Sequence, residues 1–162
     1  MTDDSLLPTP AKTIAAVRIA TGFIFFLFGE YKLASPAFAH TGFPQYLQGY
    51  IDTEAVSFYR PFLVHVVSPH PVFFGYFVGV VELAVAISLL LGIWVRPFSV
   101  IGALFLLNIT LSSWWAPGHG AALWRYFGAS LDTIPLIFLF LIFFATDAGR
   151  TWGLDGTLLS RS

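Results

Sequence analysis

Long apolar runs, each broken by one or two polar residues, dominate this chain. A membrane-spanning helix needs about 20 mostly apolar residues to cross about 30 Å of hydrocarbon. Four segments meet that description: about 13–33, 72–94, the shorter 98–115, and 123–146. Trp94, Trp114, Trp115, Trp124 and Tyr126 fall at their ends, where amphipathic rings settle at the membrane–water boundary. The predicted architecture is all-α, an integral membrane four-helix bundle. Residues 1–12 are read as a cytoplasmic N-terminal tail, 13–146 as the four-span domain and 147–162 as a cytoplasmic C-terminal tail. The longest connection, about 34–71, is predicted to be an outer loop. Within it Val56, Tyr59, Phe62, Leu63, Val66 and Val67 recur at helical spacing. That spacing predicts a short amphipathic helix at the interface, bent at Pro61.

The polar positions are not scattered. On the second span Gly75, Gly79, Glu82 and Ala86 are four, three and four residues apart, so they form one helical stripe. Small residues let helices approach closely in lipid, which turns Glu82 toward other helices. On the first span Arg18, Gly22, Phe25, Gly29 and Lys32 share a face. Asn108 and Ser112 do so on the third, and Gly128, Asp132 and Pro135 on the fourth. Four helices with that device predict a bundle with a polar interior. A central acid costs about 3 kcal/mol on the insertion scale, which a span rich in Val, Leu, Ile and Phe offsets. Insertion therefore tolerates Glu82 without explaining it.

Composition agrees with the pattern. The chain of 162 residues is 57% hydrophobic and 10% charged, against roughly 25% charged in soluble domains. The mean hydropathy is +0.78. The net charge of -1 argues against a nucleic-acid partner. The lack of cysteine removes disulfides, thiolate metal sites and dithiol chemistry. Lys12, Arg18, Arg96, Arg150 and Arg161 against Lys32, Arg60 and Arg125 favour both termini on the cytoplasmic side.

The candidate chemistry lies inside the spans. At about 1.5 Å per residue, Asn108 lies roughly 10 Å, Asp132 roughly 12 Å and Glu82 roughly 15 Å below the outer ends of their helices. These three are predicted to share one layer around a cleft between the second, third and fourth spans. Two carboxylates in such a layer cannot both stay charged unless paired. Arg18 is the predicted ion-pair partner of Glu82, whether as a ligand group or as a packing lock. An intramembrane ionisable residue is a functional candidate by default. Glu82, Asn108, Asp132 and Arg18 are therefore the candidate ligand-binding residues. Glu30 and Lys32 read as helix-end charges reaching out to the interface. His40, His65, His70 and His119 fall at irregular spacing in the connections, so no metal or transmembrane bis-histidine haem is predicted.

The first span, VRIATGFIFFLFGEYKL, resembles the opening of the DoxX/DoxD-like family of small four-helix membrane proteins. So do VELAVAISLLLGIWVRP, with its glutamate, leucine/glycine run and arginine, and the glycine-rich close FFATDAGRTWGLDGTL. The matching positions are Arg18, Gly29, Lys32, Leu33, Glu82, Gly92 and Arg96. The resemblance implies a four-helix fold and a multi-pass protein of a bacterial or archaeal inner membrane. It further implies a subunit of a redox complex, with membrane or soluble redox partners. The sequence carries no evident metal, flavin or thiol motif, so no covalently bound cofactor is predicted. A quinone head group needs hydrogen-bond partners inside an apolar cleft, and the polar layer could supply them. The alternative is a non-catalytic membrane anchor or scaffold for partner proteins. A third is a small-solute or proton pathway.

Overall fold

In a computed structural model, residues 10–159 are described, and all the regular structure among them is helical. The predicted N-terminal tail lies mostly outside the described residues. The first helix, α1 (Pro10–Ala34), starts three residues before the predicted span. It packs antiparallel against α4 (Pro71–Leu91) through the two predicted stripes. Arg18, Gly22, Phe25 and Gly29 are buried on one, Gly75, Gly79, Glu82 and Ala86 on the other. A Cβ built on Gly22 would lie 2.9 Å from Leu89 Cβ, and one on Gly29 would lie 2.8 Å from the Leu83 amide nitrogen. The two backbones touch, as small residues permit.

α4 begins with Pro71, whose missing amide costs a helix start nothing, and ends at Gly92, which takes φ 64 and bonds its amide to Ser88. α5 (Val95–Ser113) follows at once and runs back along the bundle. Its Gly102 receives the Phe140 ring, whose nearest atoms would lie 2.6 Å from a Cβ there. Phe140 belongs to α7 (Ile134–Ala145). Phe25, Val85, Leu89, Phe105, Phe140 and Phe143 form the core where these helices meet.

Two predicted elements differ. The fourth span is not one rod: α6 (Leu123–Ala129) and α7 meet at an angle of 63°. Among the described residues three helices are long and apolar enough to cross a membrane, and this bent pair makes a fourth if it counts as one span. Pro135 at the start of α7 cannot donate a helical hydrogen bond. Ser130 and Thr133 are buried at the break, where the Thr133 hydroxyl meets that of Thr110 at 2.9 Å.

The connection from 35 to 70 is a folded cap. It comprises π1 (Phe38–Gly42), α2 (Phe43–Gly49), π2 (Tyr50–Glu54), α3 (Arg60–Phe62) and π3 (Leu63–Val67). Leu47, Ala55, Leu63 and Val67 give the cap its own small core. The Val56 amide donates to Leu111 O at 3.0 Å and the Trp115 amide to Glu54 O at 2.8 Å, tying the cap to the end of α5. Tyr126 of α6 stacks on Trp114 at the same end, with ring centroids 5.6 Å apart.

The predicted C-terminal tail is also folded, as far as residue 159. Residues 146–153 turn back under the opposite end of the bundle and lead into α8 (Leu154–Leu159). Asp155 accepts from the Trp94 amide at 2.8 Å and the Val95 amide at 3.0 Å. Those are unsatisfied donors at the start of α5, so the carboxylate caps that helix from 60 residues away.

Candidate functional site

The register of α1 on α4 decides which charges meet. Gly29 faces Gly79 and Leu83, so Glu82 lies level with the last turns of α1. Lys32 Nζ donates to Glu82 Oε1 at 2.5 Å. The Lys32 side chain is 16% exposed and that of Glu82 7%. Glu82 Oε2 is buried without a hydrogen-bond partner. Lys32 is thus not an interfacial helix-end charge. Its ammonium also lies 5.9 Å from the Phe28 ring centroid and 5.5 Å from that of Phe38, within cation–π range.

The predicted Arg18–Glu82 pair does not form. Arg18 is eleven residues from Gly29, roughly 16 Å along the helix, which is too far for a side chain to climb. It faces Gly92 instead, where a Cβ would lie 2.5 Å from Arg18 Nη1. Arg18 Nη1 donates to Ala148 O at 2.8 Å and Nη2 to Trp152 O at 3.1 Å. The guanidinium is wholly buried and holds the C-terminal turn against the bundle.

Above the Lys32–Glu82 pair is a cavity of about 650 Å³, enclosed by α1, α4, α5 and the cap. Its walls are mostly apolar, among them Phe38, Phe43, Leu47, Leu63, Phe74 and Phe105. Lys32, Gln45, Tyr50, Asn108 and Ser112 contribute polar groups. Lys32 is the single charged lining residue. Phe28, Tyr31, Tyr46, Phe62 and Phe77 lie on the wall and are also exposed, so exposed aromatic side chains border the cavity.

Asn108 is held in place. The Tyr59 hydroxyl donates to Asn108 Oδ1, which leaves the amide Nδ2 hydrogens without a partner among the described residues. Burial pushes the Tyr59 phenol above its usual range. Burial does the same to Tyr50, helped by the neighbouring Glu54, Tyr46 and Asp132. A smaller cavity of about 350 Å³ lies beside the first and shares Gln45, Tyr46, Tyr50 and Ile109 with it. Glu54 and Asp132 line this second one.

The predicted layer is therefore divided. Asn108 lines the large cavity, Asp132 the small one, and Glu82 stands behind Lys32. The predicted cleft between the second, third and fourth spans is replaced by one that the first span and the cap line together with α4 and α5, with no residue of the bent fourth span on its wall. Lys32, Tyr50 and Tyr59 escaped the sequence reading of the site. For Lys32 the signal was present, since it shares the stripe of Gly22 and Gly29. Tyr59 lay on the predicted amphipathic helix, but nothing local placed that helix against Asn108, and nothing local marked the segment around Tyr50 as folded.

No three His, Cys, Asp or Glu side chains gather as a metal site among the described residues. A family model described as DoxX matches residues 13–116. That span contains every residue lining the large cavity, together with Glu82 and Tyr59. No curated protein and no solved structure matches the chain. The match covers well over half of the 162 residues: this multi-pass membrane protein belongs to the DoxX family.

Proposed function

We propose that the protein is the membrane subunit of a redox complex and that it holds a quinone in the cavity beneath its cap. The observation that carries this reading is the pairing of Asn108 Nδ2, without a partner among the described residues while Oδ1 is held by Tyr59, with an apolar chamber of about 650 Å³. Ligand sites of this kind are clefts of roughly 300–1,000 Å³ with a few oriented polar groups. A quinone presents two carbonyl oxygens on a flat apolar ring. Asn108 Nδ2 and Lys32 Nζ are donors suited to such oxygens, and the aromatic walls suit the ring. The exposed aromatic border suits a ligand that arrives dissolved in lipid and keeps an apolar tail there. A chain without cysteine does not exchange electrons through dithiols, and in this reading a partner subunit supplies them.

Purified protein in lipid nanodiscs, titrated with a decyl-tailed benzoquinone and followed by tryptophan and tyrosine quenching, tests the reading. Saturable binding that Asn108→Leu weakens by about two- to tenfold, the worth of one hydrogen bond, is the expected result. No saturable binding by the wild-type protein, together with co-purification of a stoichiometric partner, would leave the anchor in its place.

A further inference from the structure

We propose that Glu82 sets the charge selectivity of the cavity: by cancelling Lys32 it restricts the site to uncharged, oxygen-bearing ligands and turns away carboxylates and phenolates. This rests on the reading of the cavity as a ligand site. Lys32 is the single charged residue on the wall. An isolated ammonium in so apolar a chamber would attract any anion strongly, because a low dielectric barely weakens the Coulomb attraction. Glu82 prevents this from 2.5 Å away. Whichever of the two holds the proton, the pair sums to zero.

Glu82 does not itself line the cavity, so it acts on a ligand through Lys32 alone and is a positioning residue. A pair that served packing only would satisfy both carboxylate oxygens, since a buried polar atom without a partner is costly. Here Glu82 Oε2 is buried and without a hydrogen-bond partner among the described residues, so the carboxylate's one polar contact there is Lys32. The neighbouring small cavity adds the same bias. Its Glu54 and Asp132 stand behind the shared wall of Tyr46 and Tyr50, and their negative charge also repels anions.

The test uses the full chain in zwitterionic nanodiscs at pH 8 with two probes of equal tail length, a decyl-tailed benzoquinone and decanoate. The wild-type protein is expected to bind the quinone at least about tenfold tighter than the carboxylate. Glu82→Gln leaves Lys32 uncancelled and is expected to raise decanoate affinity about tenfold or more, and Lys32→Gln added to it to abolish that gain. Wild-type protein that takes decanoate as tightly as the quinone overturns the proposal, and this readout needs no variant to fold. So does a folded Glu82→Gln protein that still binds the quinone but gains nothing for decanoate. If no protein binds the quinone and Glu82→Gln still gains decanoate, charge selectivity stands and the quinone reading falls.

Discussion

Gly29 lies so close to Leu83 that a Cβ on the glycine would sit 2.8 Å from the Leu83 amide nitrogen and 3.2 Å from Gly79 O. Both atoms are backbone, so neither side can yield by rotating a side chain. This contact fixes the register that brings Lys32 to Glu82. Gly29→Ala is expected to force α1 and α4 apart and to destabilise the protein by about 1–3 kcal/mol, the usual cost of overpacking. Thermal unfolding in detergent checks it; an unchanged midpoint would mean the helices are not held in this register.

Lys32 and Glu82 are expected to be strongly coupled. Removing one partner of a buried pair leaves an uncompensated charge and costs about 3–5 kcal/mol, whereas replacing both with apolar residues costs far less. Lys32→Leu and Glu82→Leu should each lower the unfolding midpoint more than the double variant does. Additive losses in the double-mutant cycle would show that the two do not interact.

These two cases show what the sequence made legible. The spacing of Gly75, Gly79, Glu82 and Ala86 marked a buried stripe, and the spacing on α1 marked its mate. Periodicity reports a face, but it does not report which residue on one face meets which on the other. That depends on where two glycines allow backbones to touch, and it displaced Arg18 from the predicted pair in favour of Lys32. The cap was only partly legible, for another reason. Its second half, from Val56 to Val67, read as a short helix and is one over α3 and π3, but the π-helical turns of the first half break the regular spacing that identifies a helix, so residues 38–54 read as a loop. With the cap's docking on α5 unread, the tyrosines that it brings to Asn108 and to the second cavity had no place in the predicted site.

Asp155→Asn tests the C-terminal latch. The Asp155 carboxylate accepts from two backbone amides at the start of α5, and hydrogen bonds to a charged group contribute about 1.5–3 kcal/mol. The variant should speed hydrogen exchange at Trp94 and Val95 and expose residues 150–159 to protease, with little effect on exchange in the cap. Equal protection in both proteins would contradict the latch.

Tyr50 and Tyr59 lie in the cap, outside the spanning helices, and burial raises the pKa of both. As pH rises through about 10, the unfolded chain loses its tyrosine protons before the folded protein does. The unfolded state is then favoured, so stability present below pH about 10 falls as pH climbs toward the folded-state values. Tyr50→Phe and Tyr59→Phe should each flatten that alkaline loss and remove a late-titrating phenolate absorbance near about 295 nm. A titration in which all tyrosines ionise together at the ordinary value would contradict the buried cap.

The central claim is that the chamber between Lys32 and Asn108 receives the ligand. An azido-substituted benzoquinone with a short tail, photolysed on the protein in nanodiscs and mapped by peptide mass spectrometry, tests it most directly. The account predicts label on residues 28–50 and 105–112, suppressed by excess unmodified quinone and diminished in Asn108→Leu. Label confined to lipid-facing side chains such as Phe138 and Leu141, unaffected by competition, would contradict it.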